Sequence, residues 1–171
     1  MDEKIGQTFI HRSRAYLTGD YLPKIRRSVE LLPEEDVWWR PNEISNSVGN
    51  LLLHLEGNVR QWVVSGIGGA PDRRKREEEF DASGGSSGRA LVESLERTLE
   101  EVDRVLSGLS SQALAETRVI QGMEVTILEA IYHVVEHFST HTGQIIYLSK
   151  LRTGEDLEFW EVKDGKAVPR W

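Results

Sequence analysis

The sequence predicts an all-α protein built as a four-helix bundle, and three observations carry that prediction. Apolar residues recur at helical spacing in four long segments, strand-type alternation is nearly absent, and the segments are separated by proline, glycine or polar stretches. Four amphipathic helices of this kind bury one apolar stripe each in a shared core.

The first helix is expected from about Phe9 to Leu32, with Ile10, Leu17, Tyr21, Ile25, Val29 and Leu32 on one face. Pro33 ends it, because proline has no N–H to continue the ladder and biases the preceding residue to extended backbone. Pro33 to Pro41, with Trp38 and Trp39, reads as a connector. The second helix starts near Ser45 or Ser47, either of which can cap a first turn. It carries Val48, Leu51, Leu52, Leu55, Val59, Trp62 and Val63, and stops at Gly66, Gly68 and Gly69. A long polar loop follows. Its basic run Arg73 to Arg76 leads straight into Glu77, Glu78 and Glu79, a mixed pattern that reads as a solvated loop or helix end. It closes on Ala82 to Arg89, whose Gly/Ser composition is that of a flexible, even disordered, connector. The third helix is expected over Arg89 to Leu109, with Leu91, Leu95, Leu99, Val102, Val105, Leu106 and Leu109 as its stripe. The fourth is expected over Met123 to Leu151 and is stopped by Thr153-Gly154. The tail from Glu155 to Trp171 is aromatic enough to cap one end of the bundle, with a turn at Asp164-Gly165. The long second connector permits an up-down-down-up order without requiring it.

With 171 residues the chain fits one domain, residues 1–171, and its 39% hydrophobic and 29% charged content is that of an ordinary soluble globular protein. No apolar stretch approaches the roughly 20 residues that span a bilayer, so no membrane association is expected. The first residues lack the layout of a secretory signal, which makes the cytoplasm the default location. Absence of cysteine fits an oxidising compartment equally well, and it excludes disulfides, thiolate metal sites and a cysteine nucleophile. Any metal must be held by histidine, carboxylate, amide or water. The net charge of −7 argues against a nucleic-acid partner, which would favour a basic face.

The most informative motif is HVVEHFSTH, which places His133, His137 and His141 at four-residue steps in a chain with only five histidines. That step stacks side chains along one face of a helix, and imidazole is a common ligand for zinc, nickel, copper and iron. On a helical wheel, Ile127, Val134, Phe138, Ile145 and Leu148 form the buried stripe. His141 falls near its centre, His137 toward one edge and His133 further out, with Thr140 and Gln144 in a polar lane alongside. The second helix has a matching shoulder of Ser47, His54, Asn58, Gln61 and Ser65 beside the stripe Val48, Leu51, Leu55, Val59 and Trp62. Facing shoulders would bring His54 to His137 and His141. Three protein ligands with a vacant position is the pattern of a catalytic metal rather than a structural one. The plainer reading is a set of hydrogen-bonded core histidines. Burying such rings without partners costs on the order of 1–3 kcal/mol per group, a penalty that a metal removes. His11 has no partner at helical spacing and reads as a surface or packing residue. Glu129 and Glu136 point away from the stripe, and neither an HExxH arrangement nor the Glu-x-x-His pairs of di-iron bundles are present on the required faces.

The segment HVVEHFSTHTGQIIYLSKL resembles the last-helix signature of the DinB/YfiT-like superfamily, where two histidines four apart precede Gly-Gln. WWRPNEISNSVGNLLLHLEGNVRQW is similar to that family's entry into the second helix, and the resemblance spans all four helices. It implies an up-down-down-up four-helix bundle, often dimeric, with a divalent metal on His54, His137 and His141. It further implies thiol-dependent transferase or hydrolase chemistry with a low-molecular-weight thiol and a small-molecule substrate. Zinc or nickel is the leading metal, with iron or manganese as alternatives. Asn58 and Gln144 would then orient the ligands or a substrate, and His133 would be a proton shuttle or a packing residue. The competing expectation is a non-catalytic bundle that uses its metal for stability or dimerisation.

Overall fold

The computed structural model describes residues 2–170; Trp171, part of the expected C-terminal cap, lies outside the described residues. The first helix begins earlier than its apolar pattern suggested. The Asp2 carboxylate accepts from the backbone N–H groups of Lys4 and Ile5 and starts α1 (Glu3–Tyr16). The same rod runs on through a wide π-helical turn (Leu17–Tyr21) into α2 (Leu22–Leu31). Pro23 has no N–H to give to the turn before it, and the widening falls just where that bond would be missed. As expected, the rod ends at Leu32, whose backbone is extended before Pro33.

Ser47, rather than Ser45, caps α3 (Val48–Val59) in a reciprocal box with Asn50. This rod also continues as a π-helical stretch (Arg60–Ile67), so Gly66 lies inside it instead of ending it. A Cβ at Gly66 would collide with Ile120, which packs there. The connector 33–47 is tied down in its first half. Asp36 receives Arg152 at 2.5 Å, and the Trp38 indole N–H donates to the Ser86 carbonyl at 3.0 Å. The Trp38 ring lies flat against Gly49, where an added Cβ would sit 2.7–2.9 Å from ring carbons. Gly49→Ala should therefore cost about 1–3 kcal/mol of stability, the usual range for overpacking, read as a lower urea midpoint at unchanged slope.

The polar segment after Gly69 is not all loop. It contains a short helix, α4 (Arg76–Asp81), packed on α3. Ser87 caps α5 (Gly88–Ser107), whose stripe Leu91, Leu95, Leu99, Val102 and Leu106 is buried, while Val105 sits at its margin and Leu109 lies beyond the helix end. The expected start of the fourth helix is corrected. Met123–Thr126 is a strand, β2, paired antiparallel with β1 (Thr117–Ile120) across Gln121-Gly122, both at positive φ. A two-residue loop with two positive φ angles matches the strands' own twist. Thr126 then caps α6 (Ile127–Thr153) in a box with Glu129, and Gly154 closes it at φ 69°. The tail forms a hairpin, β3 (Trp160–Lys163) with β4 (Lys166–Pro169), turning at Asp164-Gly165 as expected. Among the described tail residues Leu157 becomes buried, and Trp160 stays half exposed over Lys24.

Cross-helix hydrogen bonds give the order of the bundle. Glu56 accepts from Ser94 and Thr98, and Arg60 reaches Thr98 and Glu101, so α3 and α5 run parallel. Arg14 bonds Asp103 and Arg26 bonds Glu96, so the first rod is antiparallel to α5. His54 meets His137 while Asn58 meets His133, so α3 is antiparallel to α6. The four rods thus run up, down, down, up. The second connector crosses the length of the bundle, and its docking brings charged residues to α3. No helix among the described residues is long and apolar enough to cross a membrane.

Candidate metal centre

The apolar stripes predicted for α3 and α6 are buried: Val48, Leu51, Leu55, Val59 and Trp62 on one helix, and Ile127, Val134, Phe138, Ile145 and Leu148 on the other. With those stripes meeting, the polar shoulders beside them also meet. His54 is buried, and His133, His137 and His141 are half-buried. In place of His141, its neighbour Thr142 occupies the buried stripe, which leaves the imidazole at the rim. His11 is exposed, Glu129 is used as a capping residue, and Glu136 bonds Thr140.

His137 is central to the cluster. Its Nε2 lies 3.0 Å from His54 Nε2 and 3.1 Å from His141 Nε2, and one nitrogen from each ring falls within 4.8 Å of the others. The outer nitrogens of the flanking rings are already committed. His141 Nδ1 is 2.7 Å from the Gln144 side-chain carbonyl, and His54 Nδ1 is 2.9 Å from Glu79 Oε2. Both oxygens can only accept, which calls for the proton on each Nδ1 and a bare lone pair on each Nε2, although Arg74 Nη2, 3.1 Å from His54 Nδ1, makes the opposite demand on that ring. A single N–H on His137 can serve only one of those lone pairs at a time, and its own buried Nδ1 has no hydrogen-bond partner. A cation held among the three rings satisfies every Nε2 at once. Two nitrogens bound to zinc at about 2.0–2.1 Å in tetrahedral geometry stand roughly 3.3 Å apart, within a few tenths of an ångström of the two spacings to His137, while the His54–His141 pair lies within 4.8 Å. The donor set fits a divalent metal ion.

Burial pushes the rings of α6 toward their neutral form. For His137, burial comes first, and the neighbouring imidazoles and the Arg74 guanidinium add to it, taking its pKa down to about 3. Burial lowers His141 against the opposing hydrogen bond to Gln144, and it lowers His133 as well. Neutral imidazole is the form that binds metal.

Of the accessory residues, Gln144 touches a ring of the cluster. Asn58 does not; its amide nitrogen lies 3.4 Å from His133 Nε2. His133 stacks on Trp62 at 4.1 Å between ring centres and stays outside the trio. The charged run expected to be solvated instead supplies two buried side chains. Arg74 and Glu79 form a two-pronged ion pair at 2.7 and 2.8 Å, with only 4% and 10% of their side chains exposed. Burial alone would raise the Glu79 carboxyl pKa; the hydrogen bonds from Arg74 and His54 outweigh it and hold the group below the usual carboxylate value. Gly57 makes room for this carboxylate, since a Cβ there would collide with Glu79 Oε1. Phe80, the one large apolar residue between Pro71 and Asp81, packs on the His54 ring and was the only linear signal that this stretch docks.

A crystal structure of a DinB-like protein from Bacillus cereus superposes with a TM-score of 0.68 at 14% sequence identity, covering 86% of this chain and 93% of that one. At that identity the likeness speaks for the fold alone. No curated protein matches the chain. Residues 4–166 match the family described as Protein of unknown function (DUF1572). The chain therefore belongs to the DUF1572 family, and its bundle is the DinB-like fold.

Proposed function

We propose that His54, His137 and His141 hold one divalent metal ion, zinc or nickel before iron or manganese, in a metal-dependent enzyme of the thiol S-transferase or hydrolase type. The observation that carries this reading is the convergence of Nε2 lone pairs from His54 and His141 on His137, with both outer nitrogens tied off by acceptors. Three protein donors leave room for an exogenous ligand. A bound divalent ion would act as a Lewis acid, lowering the pKa of the water or thiol that takes that place. Gln144 fixes the ring of His141, and Glu79 fixes that of His54. Beside the donor set, His133 has the Asn58 amide nitrogen 3.4 Å from its Nε2 and Trp62 against its ring, which supports a packing role ahead of a proton shuttle. The resemblance to DinB/YfiT-like proteins supports a low-molecular-weight thiol, a small-molecule substrate and a homodimer.

Elemental analysis of the purified protein should find about one metal ion per chain, and His137→Ala should contain none. In the cobalt-substituted protein, adding a thiol or azide should shift the visible spectrum. Metal binding without any such response would favour the non-catalytic alternative, and no metal under any condition would sink both.

A further inference from the structure

We propose that Glu79 is a positioning residue that selects the ligating tautomer of His54 against the one Arg74 would impose. This rests on the metal-site reading above. His54 Nδ1 has two neighbours that make opposite demands. Glu79 Oε2, at 2.9 Å, can only accept, and so asks Nδ1 to carry the proton. Arg74 Nη2, at 3.1 Å, can only donate, and so asks Nδ1 to be bare. In a neutral imidazole the second arrangement moves the proton to Nε2. The lone pair that faces His137 is then lost, and with it the third donor.

The structure resolves this competition in favour of Glu79. The same Oε2 takes Arg74 Nη2 at 2.8 Å, and Oε1 takes Arg74 Nε at 2.7 Å, so the guanidinium is satisfied on the carboxylate. The remaining arm of the fork donates to the Gln61 side-chain carbonyl at 3.0 Å. Other residues fix the carboxylate in place. Asn50 donates to the backbone carbonyls of Glu79 at 2.9 Å and Ala82 at 2.7 Å, and Arg40 donates to that of Phe80 at 2.6 Å. A carboxylate behind a ligating histidine sets both the tautomer and the direction of the ring, and losing such a partner typically costs 10- to 100-fold in metal affinity.

The test uses Glu79→Gln and the double variant Arg74→Met/Glu79→Gln in the full-length protein, each checked for folding by circular dichroism. In the single variant the new amide oxygen satisfies Arg74, which turns its NH2 group toward His54, so both neighbours donate. Imidazole 15N shifts of the metal-free protein should show His54 protonated at Nδ1 in wild type and at Nε2 in Glu79→Gln. Cobalt(II) affinity should fall by about 10- to 100-fold in the single variant. Removing Arg74 frees the amide to present its oxygen, so the double variant should regain the Nδ1 proton and most of the affinity. A merely structural role predicts the reverse, a double variant at least as impaired as the single. Should the single variant unfold, the double variant decides, because it carries no buried charge: an Nε2 proton on His54 overturns the proposal. So does a folded Glu79→Gln protein that keeps the wild-type tautomer and cobalt affinity. Wild-type protein that takes up no cobalt overturns the metal reading and the proposal together, so the two failures are distinguishable.

Discussion

Saturating zinc is expected to raise the unfolding free energy of the metal-free protein by about 4 kcal/mol when free zinc stands roughly a thousand-fold above its dissociation constant. For a chain of 171 residues that amounts to a melting point higher by roughly 10 °C. The argument is mass action: an ion that needs His54, His137 and His141 together binds the folded bundle and finds no equivalent site in the unfolded chain. His137 lies between the other two rings, so His137→Ala should abolish the shift. Thermal melts with and without zinc, run on both proteins, check this. An equal shift in the variant would place the zinc elsewhere.

Arg74→Met should lower stability by about 3–5 kcal/mol, the usual cost of leaving one member of a buried ion pair without its partner. That is a large share of the roughly 5–15 kcal/mol by which domains are stable. Arg74 is nearly inaccessible, and it satisfies both carboxylate oxygens of Glu79 and the side chain of Gln61. Replacing both partners, as Arg74→Met/Glu79→Leu, should recover most of the loss, because apolar groups of similar size fill the space with no charge to solvate. Urea denaturation of the three metal-free proteins gives the comparison, and a double variant no more stable than the single would contradict it.

These expectations rest on unequal parts of the sequence. The four rods and their buried stripes were legible because helical periodicity is a repeated signal, and Phe138, Val134 and Ile145 fall where it puts them. The meeting of His54 with His137 and His141 was legible for a related reason: when stripes pack, the shoulders beside them pack too. Arg74 and Glu79 were not. Two opposite charges become buried only because each neutralises the other, and that pairing depends on Gly57 and Asn50 from another helix, which a linear charge run does not display. The β1–β2 hairpin was missed because four residues are too few to show alternation, although Gln121-Gly122 is a turn dipeptide in plain view. The placing of His141 erred by one position, with Thr142, about 100° further round the 27-residue helix, taking the buried place.

The antiparallel meeting of α3 with α6 also has a kinetic consequence. His137 and His141 are one turn apart on α6 and can be presented together by that helix alone, whereas His54 is 83 residues from His137 and arrives only once α3 has docked. Complete coordination is thus a property of the assembled bundle and contributes little to any earlier ensemble. Interactions that form after the folding barrier slow the escape from the native state and leave the rate of reaching it unchanged. In a chevron plot a bound ion should lower the unfolding arm and leave the folding arm where it is, so such a metal would act as a latch and not as a template.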